Sequence, residues 1–278
     1  ILFSIFGRNF LSYETLINIL DASYYIGFMA IGITFVIITG GIDLSIGTVA
    51  MCSTMVGGVA WERWNLPFGV GLVLIVITGA LFGLFNGFLV SRLKLPPFIA
   101  TLGTMMISLG ISSIVSKVQS VNFPARSGDE GRFKFVFSKF PTANDTMVPT
   151  GAFFLLAALL VAFVILNKTK IGRYTFAIGS NEEAVRLSGV NVGFWKTIPY
   201  VISGLFAGIS GIFFAATYTT IVPSSGQGFE LDAIAGVVIG GTSLSGGVGS
   251  VMGTLIGVMI MSVLRIGLPS MDLQPHYQ

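Results

Sequence analysis

The chain has 278 residues, of which 53% are hydrophobic and only 10% charged, and its formal net charge is +3. Soluble domains carry about a quarter charged residues, so a mean hydropathy of +0.88 excludes a soluble globule. The small net charge gives no reason to expect a nucleic-acid partner.

A membrane span needs about 20 apolar residues in a helix whose backbone groups are satisfied internally. The predicted fold is therefore all-α: one polytopic transmembrane helical bundle over 1–278, with broken or re-entrant helices. The opening ILFSIFGRNF reads as the tail of an apolar segment that starts before residue 1. It has no basic leader and so does not read as a signal peptide.

The first span is predicted over 16–40. It ends in ITGGIDLSIG, where Gly40 and Gly41 interrupt the helix and Asp43 stands between two apolar runs. An aspartate accepts hydrogen bonds from orphan amides at a helix start, and its charge suits the helix dipole. Asp43 is thus expected to cap a second predicted span, a helix that begins at Leu44, passes through Ser45 and runs to about 60. Cys52, the one cysteine, allows no disulfide within the chain and reads as a buried thiol.

Further spans are predicted over 67–91, 97–115, 150–167, 194–217 and 249–267, with a segment at 232–241 too short to cross. Glycines recur every four residues at Gly79, Gly83 and Gly87 and at Gly249, Gly253 and Gly257, a spacing that lets helices approach closely. The pattern D-x-x-x-G-x-V occurs at Asp43–Val49 and again at Asp232–Val238. Paired broken segments point to pseudo-symmetric transporter halves and their solute route. Helix capping and the lining of a polar pathway both stay open for Asp43 and Asp232. No lysine or arginine is expected mid-span to pair with Asp43, Glu230 or Asp232.

The polar stretches 116–149 and 167–196 flank a single span and so lie on opposite sides of the membrane. Lys168, Lys170, Arg173, Arg186 and Lys196, with Arg92 and Lys94, face Arg63, Lys117, Arg126, Arg132, Lys134 and Lys139 on the other side. At seven against six, the positive-inside rule does not orient the chain. Within the second stretch, SNEEAVRLSG predicts a helix of about two turns. Ser180 or Asn181 would cap it, Glu182 and Glu183 would fill its first turn, Arg186 would lie near its end and Gly189 would stop it. Such a helix is marginal alone in water, so it should dock on its own chain or on a partner. The one histidine, His276, has no companions for a metal site. The sequons at Asn144 and Asn167 read as chance.

The strings AIGSNEEAVRLSGVNV, VIITGGIDLSIGTVA, NGFLVSRLKLPPFIATLGTM (beginning at Asn86) and FELDAIAGVVIGGTSLSGGVGSVMGTLIGV together resemble the sugar-type ABC importer permeases of bacteria. The segments cover most of the chain in the family's order. Where members often carry Arg-Gly this chain has Leu109-Gly110, and its outer loop SGDEGRFKFVFSKF is its own. The resemblance implies a multi-pass permease of the bacterial inner membrane for a monosaccharide or related small polar solute. It implies 167–196 in the cytoplasm, 116–149 outside, and about ten helices, with one before residue 1 and one after Gln278.

It also implies company: a second permease subunit, two ATPase domains and a periplasmic or lipid-anchored sugar-binding protein, all in membrane lipid. ATP would be bound by the ATPase partners, since this chain lacks G-x-x-x-x-G-K-[ST]; no cofactor is implied in this chain. Coupling to the ATPase falls on Asn181, Glu182, Glu183, Ala184, Arg186, Leu187 and Gly189, with the charged residues making polar contacts and Ala184 and Leu187 packing. Gly40, Gly41, Asp43, Ser45, Asn86, Glu230 and Asp232 are the candidates for helix breaks or pathway. The rival readings are an ion-coupled secondary transporter with broken helices, a channel, and a membrane enzyme. The last has no nucleophile–base pair or ligand cluster in the sequence to support it.

Overall fold

A computed structural model describes residues 2–7, 9–142 and 146–271. His276, Asn144 and Gln278 lie outside these described residues. A short helix α1 (Leu2–Phe6) leads into α2 (Tyr13–Ile38), and α3 (Ile46–Glu62), α4 (Phe68–Ser91) and α5 (Pro97–Ser116) follow. After an irregular stretch come α6 (Phe133–Phe137), α7 (Thr150–Lys168), α8 (Lys170–Leu187), α9 (Val192–Thr217), α10 (Phe229–Ile239) and α11 (Val251–Ser270). Among the described residues six helices are long and apolar enough to cross a membrane: α2, α4, α5, α7, α9 and α11. The fold is an all-α bundle. Among the described residues the only strands are two-residue pairs, β1 (Val121–Asn122) with β4 (Thr220–Ile221) and β2 (Phe140–Pro141) with β3 (Met147–Val148). Both pairs sit at the end of the bundle formed by 116–149.

Local chemistry sets the helix ends. Ser12 accepts from the Thr15 amide at 3.2 Å, Thr169 from Ile171 at 3.1 Å and Asn191 from Phe194 at 3.0 Å, each as an N-cap. Pro97 stands at the first position of α5, where its missing N–H is harmless. At the end of α2, Gly40 takes a left-handed φ of +76°. Its amide reaches the Ile37 carbonyl at 2.8 Å, and the Gly41 amide reaches Val36 at 3.1 Å. That is a Schellman stop, and the left-handed residue in it favours glycine.

Helix α2 is buried along its whole apolar window and forms the axis of the bundle. On one side Tyr25, Ile33 and Ile37 join Met51, Met55 and Ala207 in a core. On the other, Tyr24, Phe28 and Phe35 pack with Leu155, Phe206 and Phe213. Both glycine repeats are packing seams. Gly79 and Gly83 lie on the backbone of Gly204 and Gly208 in α9, and Gly87 lies on Thr197. Gly253 and Gly257 lie on Gly240 and Gly236, at the end of α10 and just beyond it. A methyl group at most of these positions would press into backbone, so the close approach depends on its absence.

Helix α10 is the predicted short segment, 11 residues long. Helix α3 has 17 residues and is almost wholly buried. The polar stretch 167–196 departs most from the expectation of one short helix. Helix α8 fills most of it and bends at Asn181, whose φ of −161° and ψ of 94° break the helical path. In its earlier part Gly172 lies against Leu166, and Gly179 against Ile38 and Gly247, so both glycines permit close packing there.

Candidate functional site

Asp43 does not cap a helix at Leu44. Helix α3 begins at Ile46, with Ser45 as its N-terminal flank. Asp43 Oδ1 instead accepts from the Ser45 amide at 3.0 Å and the Ser45 hydroxyl at 2.6 Å, an Asx turn that holds residues 43–45 out of the helix. Asn86 Nδ2 from α4 donates to the same oxygen at 3.4 Å and to Ser45 Oγ at 2.8 Å. Ser203 Oγ from α9 donates to Asp43 Oδ2 at 2.7 Å. The carboxylate, 2% exposed, therefore joins the α2–α3 break, α4 and α9. Four neutral donors offset the cost of burying it. Asn86 Oδ1 and the Tyr200 hydroxyl stay buried without partners.

A row of hydroxyls on α5, unnoticed in the sequence, continues from this knot. Thr101, Thr104, Ser108, Ser112 and Ser116 are all buried. They recur at three- and four-residue steps, which was the available signal. Ser108 donates to Thr48 at 2.8 Å and Ser112 to the Pro223 carbonyl at 3.1 Å, so the row zips α5 to α3 and to the loop before α10.

The second D-x-x-x-G-x-V is not the structural equivalent of the first. Asp43 precedes its helix, whereas Asp232 lies inside the first turn of α10. A cation does pair with it: Arg265 of α11 donates to Asp232 Oδ2 at 2.7 Å. The expectation that no basic residue stands mid-span fails because Arg265 is enclosed in the apolar run of α11. Glu230 is buried; its Oε1 accepts from the Gly228 amide at 3.0 Å, and its Oε2 has no partner.

At the other end of the bundle, Asn181 Oδ1 accepts from the Ala184 amide at 2.9 Å and caps the second piece of α8. Glu183 pairs with Arg186, and Glu182 with Lys196 of α9 at 2.6 Å. Ala184 and Leu187 are exposed, Leu187 by 80%. Gly189, with φ of +80°, follows the Ser188 C-cap. The exposed face thus combines charges with a bare leucine. Lys94, Glu182, Arg186 and Lys196 line a cleft of about 470 Å³ beside it.

Just before the bend, Gly179 lies on the carbonyl end of α2 and Ser180 on Gly247. The Gly247 amide in turn donates to the Ile38 carbonyl at 2.8 Å. The start of α8's bend is therefore in direct contact with the α2 terminus and with the loop between α10 and α11.

In the 116–149 region Lys139 pairs with Asp21 at 2.7 Å. Lys134 is buried and donates to Thr219 at 2.8 Å. Burial, and secondarily the charge of Arg126, push the Lys134 ammonium below the usual lysine range. No group of three or more metal-ligating side chains occurs among the described residues.

A family model described as branched-chain amino acid transport system / permease component matches residues 15–278. The chain is 36% identical over 276 residues to the ribose import permease protein RbsC of Escherichia coli (strain K12), covering 99% of this chain and 84% of that one. It is 37% identical to RbsC of Bacillus subtilis (strain 168), with 100% and 84% covered. It is 35% identical to the galactose/methyl galactoside import permease protein MglC of Escherichia coli (strain K12), with 97% and 83% covered. No solved structure matches.

Proposed function

The chain belongs to the branched-chain amino acid transport system / permease component family, and from that premise we propose that it is the membrane-spanning subunit of an ATP-driven importer for a monosaccharide. The family's description names amino acids, but the relatives that match nearly the whole chain are named for ribose, fructose and galactose. That favours a pentose or hexose. Family membership also favours ATP-driven import over an ion-coupled secondary transporter. The permease is a multi-pass protein of the bacterial inner membrane, and its work is a change of access rather than bond chemistry. Its company is a second permease subunit, two ATPase domains that bind ATP, and an extracytoplasmic sugar-binding protein. Residues 167–196 face the cytoplasm, and 116–149 lie outside.

The bend at Asn181 carries this reading. Beyond it, Glu182, Glu183, Ala184, Arg186 and Leu187 form an exposed mixed face suited to a groove on an ATPase subunit. Before it, Gly179 and Ser180 are wedged against the end of α2 and Gly247. A partner that binds this face differently in its ATP-bound and ATP-free states shifts the balance between two arrangements of the helices. Glu183→Lys tests it. The variant should fold and reach the membrane, yet lose the stoichiometric ATPase on purification or hydrolyse ATP without sugar uptake. Normal uptake would remove the coupling role from this helix.

A further inference from the structure

A partly exposed ion pair stands at the head of α10, at the same end of the bundle as 116–149. Side-chain exposure is 31% for Arg265 and 22% for Asp232. Charged side chains within membrane helices almost always face the bundle interior or a water-filled cavity rather than lipid. The face that carries it is therefore turned towards water or towards protein.

Its surroundings narrow the choice. The Arg265 guanidinium sits 5.8 Å from the Tyr25 ring centre and 5.3 Å from that of Phe229, held by cation–π attraction. Tyr25 is buried and fixed edge-on to Phe214 at 5.2 Å. Tyr218, its ring centre 6.2 Å from that of Tyr25, is 44% exposed. The result is a rigid aromatic shelf with an open ring at its edge and a planar donor–acceptor pair beside it. A monosaccharide offers complementary chemistry. Its C–H faces lie against aromatic rings, and its vicinal hydroxyls both donate and accept. A guanidinium fork can donate to two of them while a carboxylate accepts from a third. A few oriented polar groups in an aromatic wall are the usual make-up of a small-molecule site.

We propose that Arg265 and Asp232, on the shelf of Tyr25, Tyr218 and Phe229, form a contact site for a polyhydroxylated solute entering the translocation pathway. The identity of the solute rests on the import function proposed above; the exposure of Arg265, Asp232 and Tyr218 does not.

Two measurements on the assembled importer test it. Tyr218→Cys supplies a thiol in a chain whose native Cys52 is buried. A charged, membrane-impermeant methanethiosulfonate should label it, and labelling should block uptake. A thiol that reacts only with a lipid-soluble maleimide, or with neither reagent, places the shelf against lipid or inside a subunit interface and overturns the proposal. Second, Arg265→Gln should lower ATP-dependent uptake by about tenfold or more, the loss expected for one charged hydrogen-bonded contact. The probe is whichever of D-ribose, D-galactose and D-fructose the wild-type complex carries. Exchanging the charges, Arg265→Asp with Asp232→Arg, should not rescue it. Full rescue would reduce the pair to a structural tie and overturn the proposal. If Arg265→Gln fails to assemble, the labelling result alone decides. A wild-type complex that moves none of these sugars with ATP counts against the sugar-import reading, while the thiol still reports whether the site meets water.

Discussion

Asp43 shows how much one buried carboxylate can organise. Four donors from the α2–α3 break, α4 and α9 meet it. Asp43→Asn keeps the shape and can still accept from Ser45, but it weakens the charge-assisted bonds and puts an amide donor beside existing donors. A loss of about 1–3 kcal/mol is expected, read as a lowered melting temperature in detergent with the complex still assembling. Asp43→Leu leaves the Ser45 amide and hydroxyl and the Ser203 hydroxyl without their acceptor, so folded protein should largely disappear from the membrane. Equal stability of the two variants would show that the donors do not depend on this acceptor. Lys134 gives a prediction of a different kind. Its ammonium is depressed in the folded protein, so as pH rises past that value the folded chain holds fewer protons than the unfolded one. Stability from this group therefore rises with pH between the depressed value and the ordinary lysine range, as the penalty of the buried charge is relieved. Lys134→Met should remove that rise, measured as the difference in melting temperature between neutral and alkaline buffer against wild type.

Elements were legible wherever their cause was local. Apolar runs bounded by glycine, proline or charge placed the spans within a few residues, because bilayer thickness leaves little latitude in length. The short α10 was legible for the same reason. The start of α3 was misplaced because an aspartate can satisfy amides by an Asx turn as well as by a cap, and Asn86 and Ser203, which decide between them, come from distant sequence. Most of α8 was unreadable because KIGRYTFAIG has no strong apolar period, and the surfaces that Gly172 and Gly179 pack against are supplied by α7 and α2. The glycine seams were visible as spacing, while their partners Gly204, Gly208, Gly236 and Gly240 were not. The seam between α4 and α9 yields its own prediction. Gly83→Val would force a branched side chain onto the Tyr200 carbonyl and the Gly204 backbone. Overpacking of that kind costs about 1–3 kcal/mol, and the helices would have to separate. Gly103→Val, with open space around it, should leave the melting temperature nearly unchanged.

Across the whole molecule, a short chain of contacts runs from α8 through the end of α2 and the loop between α10 and α11 to the Asp43 knot. In the coupling proposed above, an ATPase on the exposed face of α8 would act on the bend at Asn181, and Gly179 and Ser180 just before it touch Ile38 and Gly247. Gly246 in turn lies against Gly40, three residues before the Asp43 knot that binds α4 and α9. The route is made of contacts at glycines, and three of them, Gly40, Gly246 and Gly247, hold left-handed φ values of +76°, +83° and +73°. A substitution within the route should therefore fail differently from one on the docking face. Gly247→Val strains the backbone at positive φ, at about 1–3 kcal/mol, and presses its Cβ onto Ser180, yet it leaves Glu182, Glu183 and Arg186 untouched. The ATPase should still co-purify in full and hydrolyse ATP, while sugar uptake per ATP falls. Glu183→Lys should instead lose the ATPase or its coupling at the surface. If Gly247→Val keeps uptake per ATP at the wild-type value, motion does not pass through the loop between α10 and α11, and α8 must act on α2 through Gly179 alone.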